Sequence, residues 1–349
     1  MDYLQPDPSL YNVPFTVDEF NGMPYRLLGR SGLRVSNVGL GTWKMGFPET
    51  GDGARVDEKT AYRIFDRAIE LGVTFWDTAN RYNGASGNSE RLIGRWLKNN
   101  PDQRRNVVIA TKCFGGMDGR TPNHSRLSRT NILESVYASL ERLQVDYLDL
   151  LYFHRFDEET PMEESLCAIE DLVAQDTVRY FGVSNFTVEQ LQQYASLQRE
   201  ASCRCRVTAV QNYFELLNGE KPECAGVLEY CATQDPAFVA YSPLAGGLLT
   251  DRYLEPSKAS KGDRLVDEGR LSEAAPPEVV RKLRKLNEVA DKGNLSLSQM
   301  CLCYMLSMPG MGPVIPSAST VEQLESNAEA GKIQLQDEQK TAIRTFLAG

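Results

Sequence analysis

The 349-residue sequence predicts a (β/α)8 TIM barrel with an N-terminal hairpin and an N-terminal extension. Three observations carry that expectation. Short apolar runs of strand length alternate with segments of helical period. Eight such pairs occur in the sequence, enough for right-handed crossovers to close a parallel sheet on itself. No G-x-G-x-x-G follows the first run, where a dinucleotide-binding, doubly wound sheet would need one. A barrel of this size is one domain, here 23–349, and the extension before it is 1–22.

The extension contains Pro and acidic residues and has no clear period. Tyr25-Arg26-Leu27-Leu28-Gly29 and Gly32-Leu33-Arg34-Val35 flank a turn and read as the hairpin. Val38-Gly39-Leu40-Gly41-Thr42-Trp43 is the first barrel strand. A helix is expected over 58–71, where Ala61, Ile64, Phe65, Ala68 and Ile69 repeat at helical spacing. Strand 73–77 follows. The pattern then gives helix 89–98, strand 106–112, helix 129–143, strand 147–154, helix 162–173 and strand 178–184. Helix 187–195, strand 207–211, helix 222–232 and strand 237–241 continue it. A long connection, 245–275, leads to helices 277–292 and 297–307, a last strand 314–316 and a helix from Val321.

Composition narrows the partners. A net charge of −9 and a pI of about 5.1 argue against nucleic acid or an anionic membrane as the main partner. A phosphate ligand needs only a local site. The eight cysteines, Cys113, Cys167, Cys203, Cys205, Cys224, Cys231, Cys301 and Cys303, form no CxxC pair. The two CxC pairs have no His at zinc-ligand spacing, so no metal site is expected, and reduced thiols are. Met1 to Asp7 has neither the basic region nor the apolar core of a signal peptide. No apolar run approaches the roughly 20 residues of a membrane span. The expectation is a cytoplasmic protein acting on a small molecule; the sequence does not specify an oligomeric state.

The active site of such a barrel lies at the C-terminal ends of its strands. Those ends carry Asp77 with Tyr82 beyond it, then Lys112, His154, Ser184-Asn185, Gln211-Asn212, Tyr241-Ser242 and Ser317. A free phenol has a pKa near 10, and a neighbouring cation favours the phenolate and lowers it. Lys112 is the only Lys among these ends, and Asp77 can keep it charged when buried. Tyr82, Lys112 and Asp77 therefore make a consistent proton donor. His154 fits as the group that orients a carbonyl oxygen. Each residue also has a plain reading. Asp77 or Ser184-Asn185 can cap the following helix, Lys112 can form a structural ion pair, and Tyr82 can be a surface aromatic. Four such residues at three consecutive strand ends favour the chemical reading.

From 23 to about 330 the sequence resembles the aldo-keto reductase superfamily. The matching pieces stand in family order: Gly39-Leu40-Gly41-Thr42-Trp43, Asp77-Thr78-Ala79 with Tyr82, Ala110-Thr111-Lys112, Tyr147-Leu148-Asp149-Leu150 running to His154, Gly182-Val183-Ser184-Asn185-Phe186, Val210-Gln211-Asn212-Tyr213, Tyr241-Ser242-Pro243-Leu244-Ala245 with Gly247-Leu248-Leu249, and Gln323-Leu324-Glu325 with Asn327. The stretch His154-Arg155-Phe156-Asp157 with Thr160-Pro161-Met162 resembles the branch of bacterial glyceraldehyde phosphate reductases and potassium-channel β-subunits.

The resemblance implies an NAD(P)-dependent oxidoreductase acting on a small aldehyde, ketone or sugar. Tyr82 would be the general acid/base, tuned by Lys112 and Asp77, with His154 orienting the carbonyl. Gly41, Thr42, Trp43 and Asp77 would border the cofactor. Ser184, Asn185 and Gln211 would hold its carboxamide, and Tyr241 would stack on the nicotinamide. The loop of Ser242, Pro243, Leu244, Gly247 and Leu248 would follow the pyrophosphate. Ser317, Ser319, Gln323 and Asn327 would meet the adenosine end. The window 317–323 has no basic residue to pair a 2′-phosphate. NADP is still expected, with Lys258, Lys261 or Arg264 from the long connection supplying the charge; NAD is the alternative. The rival function is a catalytically slow, nucleotide-sensing regulatory subunit like the channel β-subunits. A metal-dependent hydrolase would want several His and Asp ligands at strand ends.

Overall fold

A computed structural model describes residue 8 and residues 18–117, 119–200 and 205–348. Most of the expected extension lies outside the described residues. Its last residues instead join the hairpin, because β1 (Glu19–Phe20) pairs antiparallel with β2 (Met23–Leu27), which pairs with β3 (Arg34–Ser36).

The barrel strands are β4 (Leu40–Gly41), β5 (Phe75–Asp77), β6 (Val108–Cys113), β7 (Leu148–Phe153), β8 (Val178–Ser184), β9 (Val207–Glu215), β11 (Ala237–Tyr241) and β12 (Met311–Ile315), all parallel and adjacent in that order. A two-residue strand, β10 (Gly219–Glu220), folds back on β9. The ring closes through bridges from Val38 to Val314 and from Gly41 to Ser317. Closure needs glycine here: a Cβ on Gly41 would sit 3.0 Å from Ser317 Oγ and 3.1 Å from the Ile315 carbonyl oxygen.

Outside the strands lie α1 (Glu58–Glu70), α3 (Asn88–Asn99), α4 (Arg129–Leu143), α5 (Met162–Ala174), α6 (Val188–Glu200) and α7 (Val227–Thr233), after a short α2 (Tyr82–Ala85). The long connection carries α8 (Arg264–Asp267) and α9 (Leu271–Ala274). Then come α10 (Pro277–Lys292), α11 (Leu297–Leu306), α12 (Val321–Lys332) and α13 (Asp337–Ala348). The ordinary caps start them: Asp57 accepts from Thr60 N at 2.8 Å, Ser128 from Asn131 N, and Ser296 with Gln299 forms a capping box.

Two apolar layers hold the barrel. One large cluster fills the space between strands and helices. A second fills the interior with Phe75, Ala110, Tyr152, Ala209, Val239 and Ile315, and Leu28 and Val35 from the hairpin plug its closed end. Strand side chains alternate faces, so each interior residue is followed two positions later by another inward one. Those followers are Asp77, Lys112, His154, Ser184 (after Gly182), Gln211, Tyr241 and Ser317. The polar mouth is one layer above the apolar plug.

Several boundaries differ from the sequence expectation. Strand β9 runs four residues past Gln211, because the Leu216-Leu217-Asn218 turn gives it an antiparallel partner. The helix expected over 222–232 is broken by Gly226 at φ +87°. The last strand lies three residues earlier than expected at its start, at Met311, with Pro313 inside it. The terminal α13 was not expected at all. Among the described residues the seven cysteines are free, and Cys203 lies outside them. No helix among the described residues is long and apolar enough to cross a membrane.

Candidate active site

Asp77 ends β5, and its carboxylate gathers the site. Lys112 Nζ donates to Asp77 Oδ1 at 2.6 Å, and Gln211 Nε2 donates to Oδ2 at 2.7 Å. Tyr82 OH lies 3.2 Å from Oδ1. Lys112 is 1% exposed, and its other two N–H bonds reach the Thr78 carbonyl at 2.8 Å and Tyr82 OH at 2.7 Å. An ammonium has three donors and no acceptor. With all three used, the Tyr82 oxygen accepts from Lys112 and keeps its own proton for Asp77 or for a ligand. Thr42 fixes the strand end from the other side, its hydroxyl donating to the Asp77 carbonyl at 2.9 Å.

The electrostatics depart from the sequence argument at one point. Lys112 was expected to bring the phenol down. Instead burial, seconded by the Asp77 carboxylate, holds the Tyr82 phenol well above its ordinary value. Burial likewise lowers Lys112, and Asp77 opposes that. The phenol is therefore protonated near neutrality, the state a proton donor requires. The His154 ring lies 6.3 Å from the Tyr82 ring, centroid to centroid. Burial, then the positive charges of Lys112, Arg155 and Arg81, lower its pKa to about 3. His154 is neutral and carries one N–H.

A cleft of about 220 Å³ opens over these groups, lined by Gly41, Trp43, Asp77, Tyr82, His154, Ser184, Asn185, Gln211, Tyr241, Ser242, Ile315 and Ser317. Tyr241 OH donates to Asn185 Oδ1 at 2.8 Å, and Asn185 Nδ2 donates to the His154 carbonyl at 2.9 Å. Asn185 stands at φ +57°, turning the chain out of β8. Neither Ser184 nor Asn185 caps α6; Thr187 and Gln190 do so reciprocally. Pro243, Leu244, Gly247 and Leu248 form the tight turn beside Ser242, where Ser242, Ala245, Gly246 and Gly247 all have positive φ.

Of the residues expected at the adenosine end, Ser317 lines this cleft, while Ser319, Gln323 and Asn327 are not among its lining residues. Ser319 N and Oγ donate to Gln323 Oε1 at 2.9 and 3.0 Å, and Asn327 is buried on α12. Of the three candidate cations, Arg264 reaches the cleft, its guanidinium 5.1 Å from the Trp43 ring centre and beside Gly246. Lys258 is exposed and pairs with Glu255 at 2.7 Å. Arg55 holds the long connection, through Asp267 at 2.7 Å and the Gly262 carbonyl at 2.9 Å. The sequence reading missed the Thr78 carbonyl and Ile315, a backbone group and an apolar residue without chemical signature.

The donor set fits a nicotinamide dinucleotide. Hydroxyl and amide groups from Ser184, Asn185 and Gln211 meet an aromatic ring in one cleft, and a positive-φ glycine turn at its edge permits close backbone approach.

An acid–lysine–tyrosine–histidine group at the mouth of a closed (β/α)8 barrel defines an oxidoreductase class. A family model for the aldo/keto reductases matches residues 37–348, and the chain belongs to that family. It is 32% identical over 343 residues to the aldo-keto reductase AMT2 of Alternaria alternata, covering 91% of this chain and 90% of the relative. It is 32% identical over 319 residues to the L-glyceraldehyde 3-phosphate reductase of Escherichia coli strain K12, covering 90% and 89%.

Proposed function

We propose that this chain is an NAD(P)(H)-dependent carbonyl reductase in which Tyr82 is the general acid/base, with NADP the favoured cofactor. The observation that carries the reading is the contact of Lys112 Nζ with both Asp77 Oδ1 and Tyr82 OH, at 2.6 and 2.7 Å. A bound nicotinamide would supply or accept the hydride. In reduction, Tyr82 gives its proton to the carbonyl oxygen, and the Lys112 ammonium stabilises the phenolate left behind. Asp77 keeps Lys112 charged. Neutral His154 donates its N–H to the same oxygen and orients the carbonyl. Ser184, Asn185 and Gln211 would hold the carboxamide, and Tyr241 would cover the ring. Gly41, Thr42 and Trp43 border the site, and the turn of Ser242, Pro243, Leu244, Gly247 and Leu248, with Arg264, would hold the pyrophosphate. Ser317, Ser319, Gln323 and Asn327 would take the adenosine end.

The test is a titration with NADPH and with NADH, followed by quenching of tryptophan fluorescence, together with aldehyde-dependent oxidation of each. Trp43, 42% exposed at the cleft, is the reporter; Trp76 and Trp96 are buried. Saturable quenching with tighter NADPH binding and turnover is expected. Binding of neither nucleotide would overturn the reading, and tighter NADH would transfer the cofactor assignment to NAD.

A further inference from the structure

Two arginines flank the Tyr82–His154 pair in sequence, act electrostatically on His154, and have no carboxylate partner among the described residues. Arg81 immediately precedes Tyr82, and Arg155 immediately follows His154. Both lean on the loop that follows β6. Arg81 Nη1 donates to the Gly116 carbonyl, and a side chain on Gly115 would collide with the Arg81 stem. The Arg155 guanidinium lies 5.7 Å from the Phe114 ring centre. Both are exposed, and neither pairs with a carboxylate among the described residues. Their neighbour Arg126 differs, since Asp157 and Glu159 hold it at 3.3 and 2.6 Å. Both charges also reach His154, whose protonation they oppose. This positive edge belongs to a protein of net charge −9. Arg264 and Lys44, both against the Trp43 ring, differ in having Glu268 as a negative neighbour.

We propose that Arg81 and Arg155 form an anion-holding edge on the substrate side of the cleft, selecting short carbonyl compounds that bear a carboxylate or a phosphate. The inference rests on the carbonyl-reducing reading of the cleft. Arginine is suited to both groups because its planar fork donates two parallel hydrogen bonds.

The test compares kcat/KM for two matched pairs: 4-oxobutanoate against butanal, and glyceraldehyde 3-phosphate against glyceraldehyde. Charged hydrogen bonds predict an anionic-to-neutral ratio on the order of 10- to 100-fold in the wild type, falling as salt rises. The pair with the larger ratio distinguishes carboxylate from phosphate. Arg81→Gln and Arg155→Gln should each cut the ratio about tenfold, and Arg155→Lys should restore part of it. A merely structural role would lower both members of a pair alike. A second readout needs no turnover: any saturable quenching of Trp43 by glycerol 3-phosphate, absent with glycerol, should weaken in Arg81→Gln and Arg155→Gln, and quenching unchanged in both variants would assign the anion to Arg264 and Lys44 instead. Wild-type ratios near one, with the neutral aldehydes reduced, would overturn the anion edge and leave the reductase reading standing. An unchanged ratio in both Gln variants would also overturn it. Absence of turnover with all four compounds and both nucleotides would overturn the reductase reading and the edge with it.

Discussion

Lys112 at the open end of the barrel and Arg26 at the closed end are both cations withdrawn from water, yet their partners differ. Burial lowers the pKa of each, to about 10 for Arg26. Arg26 donates to the carbonyls of Met311 and Gly312 at 2.8 and 3.1 Å and to Asn37 Oδ1 at 2.7 Å, all neutral acceptors. It staples β2 to the start of β12 through acceptors that carry no charge. Lys112 meets one carboxylate, one carbonyl and one phenol. Its charge therefore bears on a group that can exchange a proton. Burial alone does not set Lys112 apart; contact of its Nζ with a phenol at the cleft does.

Substitutions can break that contrast, in order of expected effect. Tyr82→Phe should lower kcat on the order of 10³-fold while nucleotide binding and thermal stability stay near wild type. Steady-state kinetics beside fluorescence titration would check this, and a kcat within a few-fold of wild type would refute the acid assignment. Lys112→Met should lower kcat on the order of 100-fold. It should also cost about 3 kcal/mol or more of stability, because Asp77 is left buried without its cation. Urea denaturation gives the second number, and unchanged stability would mean that Asp77 had found another partner. Arg26→Met should cost about 1–3 kcal/mol through carbonyls left unpaired, with kcat/KM unmoved. A loss of activity at full stability would refute a purely structural Arg26.

The last test concerns pH. Native His154 resists protonation down to about 3, whereas an unfolded His takes a proton near 6.5. Between those values the unfolded chain binds the extra proton, so stability falls as pH falls through that window, by up to about 1.4 kcal/mol per pH unit from this group. His154→Gln should flatten that part of the stability–pH curve; an identical slope in the variant would contradict the assignment.

Much of this was legible in the sequence, for identifiable reasons. Strand 178–184 and helices 129–143 and 277–292 have strong periods and clean ends, and the expected bounds match those observed. The site was legible because inward residues recur every second position, so that polar ends such as Lys112 and Gln211 stand one layer above Ala110 and Ala209. The raised phenol was not legible, since burial depends on how completely the loops cover Tyr82. Nor was the hydrogen bond from Gln211 to Asp77, which joins residues 134 positions apart. The Arg55–Asp267 contact to the long connection was not legible either, since it joins two distant charges that look like ordinary surface residues.

The central claim is that the transferred proton comes from Tyr82 under the field of Lys112. The most direct measurement is the pH profile of kcat/KM for carbonyl reduction in the wild type and in Tyr82→Phe, side by side. The wild-type rate is expected to hold through neutrality and to fall only above the ordinary phenol pKa of about 10, as one group ionises, and the residual Tyr82→Phe rate is expected to lack that fall. The same alkaline fall in Tyr82→Phe would assign the proton to another group.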